Sequence, residues 1–246
     1  MKPTQIIFGN YGNHTIALMQ WAYEQQLENL TVVSIDTQWA AAEWQERTIQ
    51  GEILAKSLGF QAIRLPAKPT FQNLMRDRKE FPTQKFKWCA GFLKILPLLN
   101  WLDIEDPQCE TVVIMGKRRK DSRANHDLPE FIAEYDHFGM RKVWYPLYNC
   151  EDKKFHDLIQ HAGFRFLPHR SLECDPCVYN TYADFQRMTE NTIAKTESLE
   201  NEMGKTMFVQ PIRDMVQSAR ASDSVKPQNS HELFDMGCGS SFACGE

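Results

Sequence analysis

The sequence has no run of eighteen apolar residues, which excludes a membrane-spanning helix of ordinary length. Neither Gly-x-x-x-x-Gly-Lys-Ser/Thr nor Gly-x-Gly-x-x-Gly occurs, so the standard phosphate loop and the dinucleotide fingerprint lack their residues. No charge excess stands out: 28 Lys and Arg against 32 Asp and Glu leave −4, which gives no support for wholesale electrostatic capture of nucleic acid. Internal repeats are absent. A fully paired cysteine set is missing as well, because seven is odd. Met1-Lys2-Pro3-Thr4 leads straight into a strand-like run without a secretory leader pattern. A cytoplasmic protein with reduced thiols is therefore expected, not a disulfide framework. What is present, 246 residues at 42% hydrophobic and 24% charged, suits one globular domain or a core with a small cap.

Strand and helix signals alternate through most of the chain. Residues 5–8 read as a short strand, followed by a Gly/Asn loop and a helix over about 15–27, with Ile16, Met19, Ala22 and Tyr23 at helical spacing. The β-branched run 31–35 reads as a strand buried on both faces. A helix over about 40–58 should end at Gly59, and 60–65 forms a third strand stopped by Pro66. Residues 86–102 are apolar on one face and helical, with Pro97 forcing a kink or break. A further strand covers 111–115, an edge strand tolerating Pro146 covers 143–148, and a short helix over 153–161 closes at Gly163. A polar helix is expected over about 181–203 and a linker over 219–228. This alternation implies an α/β fold: a doubly wound, mainly parallel sheet with helices on both faces. The boundary falls near Arg170, separating a core over 1–170 from a small helical, cysteine-bearing part over 171–246.

Gly9-Asn10-Tyr11-Gly12-Asn13-His14-Thr15 lies between the first strand and the first helix. In an open parallel sheet, ligands bind beyond the carboxyl ends of the strands. Backbone N–H groups of such a turn, with the positive end of the next helix, suit an anion such as pyrophosphate. Alternatively Asn13 or Thr15 is an ordinary helix cap, and spacing alone leaves both readings open.

Five segments in order carry a family resemblance. The 10–15 loop resembles the PP-loop of N-type ATP pyrophosphatases, Ser-Gly-Gly-x-Asp-Ser, and Ser34-Ile35-Asp36-Thr37 resembles the Asp-Thr after the second strand of phosphoadenosine-phosphosulfate (PAPS) reductase-like proteins. Trp88-Cys89 with Leu93-Lys94-Ile95-Leu96-Pro97-Leu98 is similar to that family's Trp-Cys-x(4)-Lys-x-x-Pro-Leu helix. Gly116-Lys117-Arg118-Arg119-Lys120-Asp121-Ser122 resembles its Gly-x-Arg-x-x-Glu-Ser segment, and Tyr145-Pro146-Leu147 its Tyr-Pro-Leu edge strand. The resemblance covers roughly 5–180 and lies nearest to the DNA phosphorothioation proteins DndC and SspD. It implies the adenine nucleotide alpha-hydrolase-like fold and ATP, with Mg²⁺, over the loop. Gly9, Asn10, Tyr11, Gly12, Asn13 and Thr15 would hold the nucleotide with Asp36, Lys94 and Arg118; Asn13, His14, Thr15 and Arg118 would carry the chemistry. An arginine fork suits phosphate oxygens, although the basic run 117–120 with Arg123 also reads as a solvated charged face. The loop departs from the pattern: His14 replaces the aspartate, Thr15 the following serine, and Asn10 the leading serine. Thr15 keeps a hydroxyl, whereas His14 exchanges an anion for a neutral or cationic group that cannot hold Mg²⁺ as a carboxylate does.

Cys174-Asp175-Pro176-Cys177 is the one CxxC, and it follows an extended stretch instead of opening a helix as redox dithiols do. A metal site needs two further soft ligands. By the resemblance Cys89 is the third, with Cys238 or Cys244 of the glycine-rich tail as the fourth. Thiolate sets of this kind take structural zinc or a [4Fe–4S] cluster. Sulfur-handling relatives with clusters favour iron, and a CxxC without metal is the remaining reading. Cys109 and Cys150 read as packing residues.

The expected activity is that of an ATP pyrophosphatase that adenylylates an acceptor, DNA by the resemblance, for sulfur incorporation. A cysteine desulfurase would supply persulfide, with Cys244 as a carrier if Cys238 is a ligand. One alternative is a sulfonucleotide reductase, although Phe242-Ala243-Cys244-Gly245-Glu246 does not match that family's nucleophile segment. Another is a degenerate nucleotide-binding scaffold in a sulfur-transfer or defence complex, for which His14 is the best support.

Overall fold

The computed structural model describes residues 4–122 and 125–222. Its strands are β1 (Gln5–Phe8), β2 (Leu30–Asp36), β3 (Gln61–Pro66), β4 (Val112–Ile114), β5 (Phe131–Tyr135) and β6 (Arg141–Trp144). They form one sheet in the order β3-β2-β1-β4-β6-β5. Every pairing is parallel except that of β5 with β6. Strand residues alternate between two apolar layers. Ile6, Phe8, Val33, Ile35, Val113 and Val143 meet Phe71, Trp88, Leu93 and Leu98 on one face. Ile7, Val32 and Ile114 meet Ile16, Met19, Phe155 and Leu158 on the other.

The helices are α1 (Asn13–Glu24), α2 (Ala42–Ser57), α3 (Phe71–Arg78), α4 (Trp88–Ala90), α5 (Leu96–Glu105), α6 (Asp152–His161), α7 (Tyr182–Arg187), α8 (Glu190–Met203) and α9 (Ile212–Ala221). Among the described residues no helix is long and apolar enough to cross a membrane. The doubly wound, mainly parallel sheet expected from the sequence is what forms. Because β1, β2, β4 and β6 are parallel, the loops that follow them all emerge at one edge, where the strand order reverses between β1 and β4.

Several local expectations are corrected. Residues 143–148 are not an edge strand: β6 lies inside the sheet and ends at Trp144, so Pro146 falls beyond it. The edge belongs to β5, whose largely exposed residues lack clean alternation and whose register slips between Ile132 and Tyr135. Pro97 does not break its helix, because a π-helical turn, Gly91–Ile95, absorbs the register change imposed by a residue without N–H. The polar helix over 181–203 divides at Met188, whose backbone is extended, and Thr189 caps α8 by accepting the Thr192 N–H. Cys109 is exposed at a left-handed turn position (φ 56°), not packed, whereas Cys150 is half-buried against the second layer.

After Arg170 the chain returns to the sheet. Val178, Tyr179, Leu199 and Met207 join the first apolar layer, while α7, α8 and α9 enclose a small cluster of Phe185, Met188, Ile193, Ile212 and Val216.

Arg141 and Asp106 are fully buried together. Arg141 Nε donates to Asp106 Oδ2 (2.9 Å) and Nη2 to the Asp106 carbonyl (2.8 Å), while the carboxylate also accepts the Glu110 and Thr111 N–H groups. Arg141→Met leaves that carboxylate without its cation and is expected to lower unfolding free energy by about 3–5 kcal/mol in denaturant titration. A loss below about 1 kcal/mol, the value of a surface pair, contradicts this.

Candidate functional site

The loop from Gly9 to Thr15 is built by its own side chains. Gly9 N–H bonds the Val33 carbonyl, so the loop leaves β1 still tied to β2. Asn10 N–H donates to Thr15 Oγ1 (3.1 Å) and Gly12 N–H to Asn10 Oδ1 (2.8 Å). Tyr11 adopts φ 63°, and its ring lies so close to Gly51 of α2 that a Cβ there would sit 2.2 Å from it. Gly9 is equally constrained, since its Cβ would meet Thr15 Oγ1 at 2.1 Å. Arg47 Nε donates to the Tyr11 carbonyl (2.8 Å), and burial lowers the Arg47 guanidinium to about 10, still cationic at neutral pH. Asn13 does not cap α1. It exchanges two 2.9 Å hydrogen bonds with the Leu167 backbone, tying the helix start to the 167–173 segment. Gly12, the residue before α1, supplies no side-chain cap, so the N-terminal amides keep the character of an anion site.

Beside the loop, the basic run after β4 divides: Lys117 and Arg118 fold inward, whereas Arg119 and Lys120 face solvent. Arg118 is 6% exposed. Its Nη2 and Nε donate to the two Asp121 oxygens (2.6 and 3.1 Å), Nη1 donates to Asp152 (3.0 Å), and the guanidinium lies 3.9 Å from the centre of the Phe155 ring. Lys120 also pairs with Asp152. His14 Nε2 lies 2.7 Å from Asp121 Oδ2, and His14 packs its backbone against Gly116, where a Cβ would sit 2.7 Å from the His14 Cβ. Burial works against the Asp121 carboxylate. The His14 hydrogen bond and charge, with the Arg118 cation, outweigh it and hold its pKa below the usual carboxylate range.

A third group closes the edge. Glu173, 6% exposed, accepts hydrogen bonds from Asn10 Nδ2 (2.8 Å) and Ser171 Oγ (3.4 Å) and forms a salt bridge with buried Lys94. Its carbonyl accepts the Thr37 hydroxyl, and the Ala41 and Asp175 N–H groups bond the carbonyls of Leu172 and Trp39. The segment 171–177 thus runs along the loop after β2. Glu173 lines two cavities. One, of about 20 Å³, is bounded by Asn10, Ser34, Asp36, Thr37 and Trp44. The other is walled by Lys94, Arg170, Cys89, Cys174 and Cys177 with Trp39, Phe71 and Leu93.

The structure therefore brings Asn10, Asp36, Lys94, Cys89, Cys174 and Cys177 to adjoining cavities, with Gly9, Tyr11, Gly12, Asn13 and Thr15 in the loop beside them. His14 and Arg118 sit together on its other side. Asp36 accepts the Gln38 N–H through its side chain and borders the small cavity. Cys238, Cys244 and Arg123 lie outside the described residues. No disulfide joins the described cysteines, and among the described residues no His/Cys/Asp/Glu group stands ready-assembled around a metal position. Burial pushes the Cys174 thiol well above its usual range, against the pull of Lys94. The donor chemistry nevertheless suits a thiophilic metal. Three thiols line one cavity that also holds Lys94 and Arg170, two cations able to balance thiolate charge.

Sequence reasoning missed Glu173, Asp121, Asp152 and Arg47. Asp121 occupies the acidic position of the Gly-x-Arg-x-x-Glu-Ser pattern, so its signal was present. Glu173 immediately precedes the CxxC, where no spacing rule marks a carboxylate as buried.

The depressed Asp121 pKa fixes the sign of a pH effect. A carboxylate with a lower pKa folded than unfolded adds stability above its unfolded value, and loses it as pH falls through the folded one. Stability is expected to fall below about pH 4, with a shallower acid limb in Asp121→Asn than in the wild type. Identical acid limbs in the two proteins, measured by denaturation from pH 7 to 2.5, contradict this.

The chain aligns with U34-tRNA thiolase NcsA from Methanococcus maripaludis, solved with its [4Fe–4S] cluster, at 13% identity, covering 89% of this chain and 72% of that one with a TM-score of 0.50. PAPS reductase from Candida auris, a phosphate complex, aligns at 12% identity over 67% of this chain and 75% of that one (TM-score 0.48). NMN synthetase from Francisella tularensis aligns at 12% over 89% and 84% (TM-score 0.47). No curated protein matches the sequence. These likenesses are to fold. The family follows from the sequence profile of the phosphoadenosine phosphosulfate reductase domain, which matches residues 5–169, the whole of the sheet and its loops. The chain belongs to the phosphoadenosine phosphosulfate reductase domain family.

Proposed function

We propose that this protein is an ATP pyrophosphatase that adenylylates an acceptor, DNA in the leading reading, so that sulfur can be incorporated. The observation that carries the proposal is the sharing of one sheet edge by two unlike chemistries. A tight loop at a helix N-terminus stands on one side, three thiols line a cavity on the other, and Glu173 lines both compartments at their boundary.

In this reading ATP lies over residues 9–15 with its adenosine toward Asp36. The amides at the start of α1 and the Thr15 hydroxyl meet the phosphates, and Arg118, fixed by Asp121 and Asp152, offers a cation beside them. An acceptor oxygen attacks the α-phosphate and pyrophosphate departs. Preorganised N–H groups and a fixed guanidinium stabilise charge on the leaving group without having to reorient. The outer sulfur of a persulfide from a cysteine desulfurase then displaces AMP, and a second thiol cleaves the remaining S–S bond, leaving sulfur on the acceptor and a disulfide between that thiol and the carrier. Cys89, Cys174 and Cys177 would hold a [4Fe–4S] cluster in preference to zinc, with Cys238 completing the set. When bound, such a cluster supplies a thiophilic metal beside the activated acceptor. The setting is cytoplasmic, where the thiols stay reduced. The resemblance of the sequence motifs to those of DndC and SspD is what supports DNA as acceptor.

His14 supports a second reading. Its tie to Asp121 puts an imidazole where the PP-loop pattern has a carboxylate, which suits a nucleotide-binding subunit without turnover. Pyrophosphate release separates the two, measured on anaerobically purified protein with Mg²⁺·ATP, a DNA acceptor and a persulfide donor. Release by the wild type is expected, falling by about 10²-fold in Thr15→Ala, as for the loss of one preorganised donor. Release that appears only in His14→Asp supports the scaffold and overturns the enzyme.

A further inference from the structure

We infer that Glu173 is the positioning residue that couples occupancy of the phosphate loop to the cysteine cavity; this rests on the nucleotide reading above. The contacts around it are specific. Asn10 uses its side chain in two directions: Oδ1 accepts the Gly12 N–H, and Nδ2 donates to Glu173 and Ser171. Glu173 in turn pairs with Lys94, which walls the cysteine cavity, and its peptide neighbour is Cys174. One chain of polar contacts therefore runs from a loop amide through Asn10 and Glu173 to Lys94, which lines the same cavity as the thiols.

This chain does not survive nucleotide entry unchanged. The cavity bounded by Asn10, Asp36, Thr37 and Glu173 measures about 20 Å³, room for a single water and not for a nucleoside. A phosphate taking the Gly12 N–H must draw it from Asn10 Oδ1. A buried carboxylate beside an arriving phosphate repels it. Entry of the nucleotide accordingly swings Glu173 and the 171–177 segment away from Asn10. Lys94 and the Asp175 and Cys177 amides, which bond the Trp39 carbonyl and Asn180 Oδ1, are disturbed with them. Linkage is reciprocal: a change at the cysteine cavity alters ATP affinity by the same factor.

Hydrogen exchange of the 170–178 segment in the full chain, purified anaerobically, tests this with and without saturating Mg²⁺·ATP, alongside a calorimetric titration of ATP. Exchange at Asp175 and Cys177 is expected to quicken by about fivefold or more in the wild type, the low end of ordinary coupling between sites. Glu173→Gln should still bind ATP yet show no such response. Binding without a change in wild-type exchange, or a full response in Glu173→Gln, overturns the coupling alone. Absence of ATP binding in the wild type overturns the nucleotide reading and the coupling with it. Should Glu173→Gln fail to fold with Lys94 unpaired, Asn10→Ala severs the same link from the loop side, and a wild-type-sized response there overturns the proposal.

Discussion

A charge withdrawn from water must find its opposite, and this requirement organises the ligand edge of the sheet. Lys94 and Arg118 are buried at this edge, and each meets a carboxylate, Glu173 from the C-terminal part and Asp121 from the turn after β4; at the opposite edge Arg141, at the start of β6, meets Asp106 from the end of α5. Pairing Lys94 with Glu173 draws the segment after Arg170 back across the loops of β1 and β2. The CxxC then follows Glu173 into position. What reads in the chain as an appended cysteine-bearing part becomes a wall of the central cavity.

The same requirement shapes the loop. Asn10 and Thr15 spend their polar groups inside it, Asn13 spends its own on Leu167, and His14 leans on Asp121. These contacts hold the loop in form. The glycines in and around it matter through contact more than through unusual torsion: Gly9 of the loop lies under Thr15, Gly51 of α2 under Tyr11 and Gly116 after β4 under His14, each where a Cβ has no room. Close approach of this kind fixes the loop between β1, α2 and the turn after β4, which is the geometry a phosphate-binding turn needs.

Much of the fold was legible because buried parallel strands announce themselves. Val32, Val33 and Ile35, or Val112 to Ile114, sit in β-branched runs that few alternatives accommodate. β5 escaped notice because an edge strand with Glu134 and Ala133 exposed carries no such pattern. The division of the polar stretch at Met188 was equally hidden, since Thr189 makes an N-cap without interrupting the helical composition around it. For the site, ordered motifs located the loop, Lys94, Arg118 and the three described thiols. Their partners were harder to see, because pairing across 79 positions between Lys94 and Glu173 is a property of the folded chain.

The central claim is that the 9–15 loop receives the phosphates of ATP beside a cavity of thiols. A crystal structure of the protein with a non-hydrolysable ATP analogue addresses it directly. The account predicts phosphate oxygens within hydrogen-bond distance of the amides of Gly12 to Thr15, with Asn10 parted from Glu173. An analogue bound elsewhere, with the loop and the Asn10–Glu173 contact unchanged, would contradict it.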